Sequence, residues 1–390
     1  MQNITVLYEI EKRENENPFD LSLKLKSFSP AERRFIAEQI ECRAKAIKKL
    51  PFFYSKKCIY TKRALEQSSS EEVAKFKTKL IKGDILIDLC GGFGVDDYWL
   101  SQCFKTVTSY DENTELNEIV RHNNTLLNYT NHERINGSAE DINFDDLDAS
   151  TVIYLDPDRR DSHGKKQFLP ENHSPNIYPI LEKIDGRLKV YIKLSPMIDI
   201  SLLLKNIPSI TGLWVISHKL ENKEILLECN GDSQKGIWAI ELNAETLQLK
   251  QDLDAASTEF NFDKKFLFIP SPAILKSKNG ETIAHKYNLS KINSSFQFLF
   301  GDERIPSFMG RFYKVIKKLA YKPKTIKKDL KELHINKAEI FSRNFFHSSE
   351  DLSKILRIPK GGDHFLAFTV DKEKNPWFFV CALKSQNPQA

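Results

Sequence analysis

The spacing of apolar positions changes character along the chain. Over the first eighty residues it follows a helical period, as at Phe35, Ile36, Ile40 and Ala44. Ser29-Pro30-Ala31-Glu32 opens that helix as a capping box, with the Ser29 hydroxyl placed to accept the Glu32 amide and Pro30 at the first helical position. Pro51 stops it. A second helix is predicted from Ser70-Glu71-Glu72 through Val73, Ala74, Phe76 and Leu80, with Gly83 just past its end. From Asp84 the pattern becomes short apolar runs separated by helical stretches: Ile85 to Ile87, Val107 to Tyr110, Val152 to Leu155 and Val190 to Leu194. Strands alternating with helices predict βαβ units and a mainly parallel sheet. Three strand-like runs, 213–216, 224–228 and 237–242, follow with no helix between them, which predicts an antiparallel end to that sheet.

The polar stretch Asp252 to Asn261 reads as a linker, and beyond it Lys265 to Ile269 and Ala284 to Leu289 bracket a small unit. A helix over Ser348 to Leu356, a turn at Pro359 to Asp363 and two strands, Phe365 to Val370 and Trp377 to Leu383, close the chain. The fold class is therefore α/β, divided into a helical segment (1–80), an α/β core (81–245), a small unit (246–310) and a terminal unit (311–390).

Composition narrows the function. The 390 residues are 41% hydrophobic and 28% charged, enough for buried cores and unlike a disordered or fibrous chain. No apolar run approaches the ~20 residues that span a bilayer, and the acidic and basic residues of the first twenty positions do not suit a signal peptide, so a cytoplasmic protein is expected. Six scattered cysteines form no C-x-x-C pair, and nine histidines show no ligand spacing, so neither disulfides nor a metal is expected. No G-x-S-x-G elbow supports hydrolase chemistry. Residues 301–390 hold 18 Lys and Arg against 10 Asp and Glu, a surplus of +8 in a chain of net +5. The positive charge gathers at one end.

The segment Asp84 to Asp96 runs strand, glycine turn (Gly91, Gly92, Gly94), helix. Glycines let the backbone approach a ligand, and a dinucleotide fingerprint would need a third glycine where Asp97 stands. Asp88, Asp96 and Asp97 suit instead a ligand with cationic groups, and S-adenosylmethionine carries an ammonium and a sulfonium. Asp111 ends the second strand, where an acid would hold both ribose hydroxyls, and Arg134 to Asp141 falls where a turn would meet adenine. These residues resemble class I S-adenosylmethionine-dependent methyltransferases, whose first motif reads D-x-G-x-G-x-G. Cys90 and Gly91 depart from it. The resemblance implies cofactor contacts at Asp88, Gly91, Gly92, Gly94 and Asp111, with adenine beside Ser138 and the Ala139 amide.

Asp156-Pro157-Asp158-Arg159-Arg160 puts an acid and a proline at the carboxyl end of a buried strand, the usual ligand side of an open α/β sheet. It resembles the D/N-P-P-Y/F/W signature of methyltransferases that act on exocyclic base amines, with Asp158 and Arg159 in place of the second proline and the aromatic. In that picture Asp156 and the Pro157 carbonyl accept from the amine. Arg159 stacks on the base, or joins Arg160 in holding a phosphate; the alternative is an acid that pairs with its neighbouring arginines. Lys193, at the end of the next strand, lines the pocket or is simply solvated.

A wider resemblance rests on Glu66 to Glu71, Gly91 to Asp96, Asp156 to Arg160 with Lys165 and Lys166, Ser342 to Phe345, and Gly361-Gly362-Asp363. These strings look like bacterial methyltransferases with a THUMP-like C-terminal domain. The family implies a Rossmann-like core, a ferredoxin-like unit over 246–310 and a THUMP-like unit over 311–390, with Ser70 and Glu71 near the methionine end of the cofactor; as a bare string Ser70 is a helix cap. It also implies a structured RNA partner, tRNA or rRNA. The eight basic residues from Arg311 to Lys328, with Phe312, Tyr313 and Tyr321 among them, would neutralise phosphates and offer stacking faces, with Arg311, Lys314 and Lys318 as the candidates, while Arg343 and Asn344, beside apolar Phe345 and Phe346, read either as an RNA contact or as a capped turn. A solvated helix face is the alternative. Against an RNA methyltransferase stand two rivals: a catalytically silent RNA-binding protein, and an enzyme of the same chemistry acting on protein or a small molecule.

Overall fold

The computed structural model describes residues 4–159, 170–231, 235–243 and 245–383. Six helices come first: α1 (Ile4–Lys12), α2 (Pro18–Lys24), α3 (Pro30–Lys49), α4 (Pro51–Ser55), α5 (Lys62–Gln67) and α6 (Glu71–Lys77). The capping box at Ser29 and Glu32 forms as expected. Helix α6 is shorter than its apolar spacing predicts and ends at Lys77, with 78–80 continuing as a turn.

Then follow β1 (Ile85–Asp88), α7 (Val95–Leu100), β2 (Thr106–Asp111), α8 (Thr114–Leu126), β3 (His132–Asn136), β4 (Thr151–Leu155), α9 (Ile177–Ile184) and β5 (Lys189–Leu194). These strands are parallel in the order β3-β2-β1-β4-β5. Strand β4 is buried throughout, as a strand covered on both faces must be. The N-terminal helices share the core of this unit: Leu50, Phe53, Tyr60 and Leu65 pack with Phe93, Val95 and Tyr98 of the glycine turn and α7. The turn is thereby held from outside the sheet.

After α10 (Ile200–Asn206) come β6 (Ile210–His218), β7 (Glu221–Cys229), β8 (Gly236–Leu242) and β9 (Thr246–Lys250). Strands β8 and β9 are antiparallel, but β6 and β8 are parallel, with Gly212 opposite Gly236. The expectation of an antiparallel ending fails at that pair because β7 lies on the other side of β6, so the chain crosses over to reach β8.

The second sheet is built from β10 (Phe266–Pro270), β11 (Ser290–Lys291), β12 (Leu299–Gly301), β13 (Gly310–Ala320), β14 (Glu339–Ser342), β15 (His364–Val370) and β16 (Pro376–Ala382), in the order β11-β12-β10-β13-β16-β15-β14. Helices α11 (Pro272–Lys276) and α12 (Gly280–Lys286) follow β10, α13 (Ile326–Glu332) follows β13, and α14 (Ser349–Leu356) follows β14. Strands β10 and β13 pair over five positions, so the segments on either side of residue 310 contribute to one sheet. By its contacts the chain forms two compact units, one built mainly of Met1–Asp199 and the other mainly of Gln234–Ala390. Among the described residues no helix is long and apolar enough to cross a membrane.

Candidate active site

The glycine turn lies between β1 and α7, where the chain must reverse within a few residues. Gly92 and Gly94 both adopt positive φ, the left-handed region that a side chain disfavours. Gly91 is needed for a different reason: a Cβ there would stand 1.9 Å from Nη1 of Arg134. That arginine, buried on β3, is the organiser of the turn. It donates to the Gly92 carbonyl (2.7 Å), the Ser109 hydroxyl (3.0 Å) and the Asn117 side-chain oxygen (2.6 Å), and its Nη2 lies 3.4 Å from Oδ2 of Asp111. Asp111 also accepts from the amides of Gly92 (3.0 Å) and Asn113 (2.9 Å). Its carboxylate is fixed at the end of β2 with its side chain 19% exposed.

Beside the turn is a buried cluster of charges. Lys77, at the end of α6, is 0% exposed. Its ammonium donates to Ser69 Oγ (3.0 Å) and Tyr154 Oη (3.0 Å) and pairs with Asp96 Oδ2 at 2.8 Å. Ser69 (2.9 Å) and Tyr154 (3.0 Å) donate to the same Asp96 oxygen. Burial opposes the Asp96 charge, but Lys77 and Lys193 outweigh it and hold the carboxyl at about 2. Lys193 lies 3.6 Å from Asp96 and pairs directly with Asp156. Burial still raises the Asp156 carboxyl above its ordinary value, with Lys193 pulling the other way. The Asp156 side chain remains 34% exposed. At the end of β4 the molecule thus presents an acid anchored on one side by a lysine and open on the other.

The three acids expected to meet a cationic ligand have different surroundings. Asp97 is buried, 3.8 Å from Arg134 and 3.9 Å from His132, and Asp96 is matched by the lysines. Asp88 is enclosed at the end of β1, accepts from the Cys90 amide at 2.8 Å, and is raised well above its ordinary value by burial and by Asp97. The carboxylates that stay open at the strand ends are Asp111 and Asp156.

Ser70 is the N-cap residue of α6, and its hydroxyl is buried without a partner among the described residues. Glu71 is also buried, but its carboxylate accepts from the Phe52 amide at the start of α4 (2.7 Å) and pairs with Lys75 (2.6 Å). Its charge is therefore occupied within the protein. Ser138 caps the short 3₁₀ turn Ala139–Asp141, accepting from the Glu140 amide at 3.3 Å, with Ala139 buried. Pro157 follows Asp156 in a buried position. Asp158, where the resembling motif has proline, accepts from Arg63 (2.9 Å) and Gln67 (3.2 Å) of α5. Arg159 donates to the Ser195 hydroxyl, and among the described residues the cation paired with Asp156 is Lys193. Arg160, Lys165 and Lys166 lie outside the described residues.

In the terminal unit Arg311 and Lys314 are exposed on β13, while Lys318 pairs with Asp263 at 2.6 Å. The basic run begins on a strand rather than a helix, and Phe312, Tyr313 and Tyr321 point into the core, so they offer no stacking face. Arg343 is exposed after β14, its guanidinium 4.0 Å from the Phe341 ring centre. Sequence reasoning missed Lys77, Tyr154, Ser69 and Arg134. The available signal was a lysine in phase with Val73 and Ala74 on the apolar face of its helix, and an arginine beside Ile135 in a short strand.

Among the described residues no group of three or more His, Cys, Asp or Glu is placed to hold a metal ion. Residues 310–383 match the THUMP domain-like family. No curated protein matches the chain. The crystal structure of a "putative methyltransferase" from Porphyromonas gingivalis W83 superposes with a TM-score of 0.83 at 22% identity, covering 97% of each chain. The two chains share a fold, a Rossmann-like core followed by a THUMP-like end. A "putative methyltransferase" from Streptococcus mutans in complex with SAH (18% identity, 40% of this chain and 94% of that chain, TM-score 0.31) and the tRNA (m1A58) methyltransferase TrmI from Aquifex aeolicus (15%, 42% and 69%, 0.30) overlap only part of the chain. At those TM-scores the likeness carries no argument about the site.

Proposed function

We propose that this protein is an S-adenosylmethionine-dependent methyltransferase that modifies a base nitrogen, an exocyclic amine, of a structured RNA. The observation that carries the reading is Asp156: a carboxylate at the carboxyl end of β4, tethered by Lys193 and open on its other side. The residues present fit a nucleoside cofactor. Gly92 of the glycine turn is half-buried and has no side chain to keep a ligand away from the backbone, and Asp111 is a rigid acid at the end of β2 suited to accept from two ribose hydroxyls. Ser138 and Ala139 lie on the turn after β3, where the adenine is assigned. Ser70 at the start of α6 is assigned to the methionine end; Glu71, held by Phe52 and Lys75, is not.

The cofactor, when bound, supplies an electrophilic methyl carbon. The protein's part is position and electrostatics. Asp156 would accept an N–H of the amine and so orient the nitrogen lone pair, and would take up the amine proton as the methyl–sulfur bond breaks in favour of the N–C bond and its electron pair stays on the thioether that leaves. Lys193 keeps the carboxylate ionised until then. The Pro157 carbonyl serves as the second acceptor, and Arg159 and Arg160 hold the base or its phosphate. The basic terminal unit carries the RNA, which the THUMP-like match favours.

Asp156→Ala tests this reading. Calorimetry with S-adenosylhomocysteine should give an affinity within about threefold of wild type, whereas radiolabelled methyl transfer to total cellular RNA should fall by at least about 100-fold. Unchanged turnover removes Asp156 from the reaction. Absence of both binding and transfer in the wild-type protein favours a silent RNA-binding protein, for which the Arg63 and Gln67 hold on Asp158 is the supporting observation.

A further inference from the structure

The loop between β14 and α14 carries an exposed aromatic residue that the proposed reaction does not use. Phe346 is 58% exposed, and its ring stacks on Phe345 with centroids 4.1 Å apart and planes 26° apart. Tyr321 meets both rings edge-on, at 5.6 Å from Phe346 and 5.2 Å from Phe345. One face of Phe346 is therefore covered by the Phe345 ring, Tyr321 and His347 (4.8 Å, planes 67° apart) meet it in edge contacts, and more than half of its surface stays accessible. Phe345 and Tyr321 belong to the apolar cluster that includes Ile326, Leu330 and Leu352, so the platform is rooted in the core of its unit.

The loop is fixed at its base. Ser342 donates its amide to Ser349 Oγ (3.0 Å) and its hydroxyl to the His347 carbonyl (2.6 Å), and the Arg343 amide donates to the Phe368 carbonyl (3.0 Å). Asn344 takes the left-handed conformation that lets the chain turn there. A stacking ligand would then lose little loop entropy on binding.

The surroundings of Phe346 select the partner. Its chain neighbours Arg343, Asn344 and His347 are polar, and Tyr321 is followed by Lys322 and Lys324, both exposed. An aliphatic protein surface would meet charge on these sides. A flat base whose sugar carries phosphates matches both features, because stacking does not depend on base identity and lysines neutralise phosphate.

We propose that Phe346 is a stacking platform for an unpaired nucleobase of RNA, with Lys322, Lys324 and Arg343 holding the flanking phosphates. This rests on the reading that the protein acts on RNA, and adds that the terminal unit needs a single-stranded segment, a loop or an end, since a base pair inside a helix has both faces covered by its neighbours.

The test is direct binding by the full chain, measured by fluorescence polarisation with a labelled single-stranded oligoribonucleotide and a labelled RNA duplex whose ends are capped by covalently attached aromatic groups that cover the terminal pairs, and read without any methyl transfer. Phe346→Ala should weaken the single strand by about tenfold with its salt dependence unchanged, and leave the duplex unaffected. Phe346→Trp should restore the affinity, and its fluorescence should be quenched on binding. Lys322→Ala with Lys324→Ala should weaken both RNAs and lower the single-strand salt slope by about 1. Wild-type binding with no loss in Phe346→Ala overturns the platform and leaves the RNA reading standing. No wild-type binding to either RNA overturns both.

Discussion

The two charged regions of this molecule are built on opposite plans. Around Asp96 the charges are buried, few and matched: one carboxylate oxygen receives Lys77, Ser69 and Tyr154 together. From Arg311 to Lys328 eight basic residues occur without an acid up to that point, and most stand exposed. A buried pair gains strength from low dielectric and holds its geometry, at the cost of desolvation. Exposed lysines are screened and adaptable, and act by displacing counterions. The first plan suits a small ligand that must sit within tenths of an ångström. The second suits a polyanion whose contour varies.

The largest effect should come from breaking the buried cluster. Lys77→Met leaves Asp96 charged and enclosed, with Lys193 at 3.6 Å as its remaining cation, and should cost about 3–5 kcal/mol in urea unfolding. Adding Asp96→Asn should recover most of that loss. A cost below about 1 kcal/mol for Lys77→Met would show that the cluster is not the anchor described here. The pH dependence has a defined sign. The Asp96 carboxyl titrates at about 2 in the folded chain, below the ordinary value of 3.8. Its stabilisation is therefore complete above the unfolded value and is lost as pH falls from about 4 through 2, amounting to about 2 kcal/mol. Asp96→Asn should remove that loss, measured as the difference between the two proteins' stability curves in acid.

A smaller effect separates holding from reacting. Lys193→Met removes the cation that opposes burial at Asp156, so the carboxyl should move further upward. The acid limb of the methyl-transfer rate should then shift to higher pH by about one unit or more, with S-adenosylhomocysteine affinity nearly unchanged. A uniform fall in rate at every pH would make Lys193 a structural support alone.

The parallel core was legible because its strands are continuous apolar runs and its turns carry glycine or acid at strand ends. The placement of Asp111 and Asp156 at the carboxyl ends of β2 and β4 is legible for the same reason, since each follows a short apolar run. Lys77, Tyr154 and Asp96 were not read together because their contacts join positions 58 and 77 residues apart, which no local spacing encodes. Arg134 was hidden likewise, since the space it fills is left by a missing Cβ on Gly91. At the basic end, alternation should have favoured a strand, but Phe312 and Tyr313 are both buried, and a register shift between Val315 and Lys317 interrupts the period of two. Composition alone reveals the positive charge there, whereas the direction of the aromatic rings depends on that interrupted register. Phe346, the ring that does face outward, sits in a loop with no periodicity to mark it.

The smallest effect should come from an exposed pair at Asp158. Its pair with Arg63 is exposed, with side chains 34% and 69% accessible, and joins α5 to the chain just beyond β4. An exposed pair of this kind contributes little because solvent screens it and ordering two side chains costs entropy. Arg63→Ala should change stability by less than about 0.5 kcal/mol and leave cofactor affinity alone. Methyl transfer answers a separate question, because Asp158 occupies the place where the resembling motif has a proline. If the Arg63 and Gln67 hold merely tethers the loop, the double variant Arg63→Ala and Gln67→Ala should raise the KM for RNA by a few-fold at constant kcat, since uniform binding would be lost and the reacting groups left in place. A fall in kcat instead would place Asp158 among the groups that orient the base.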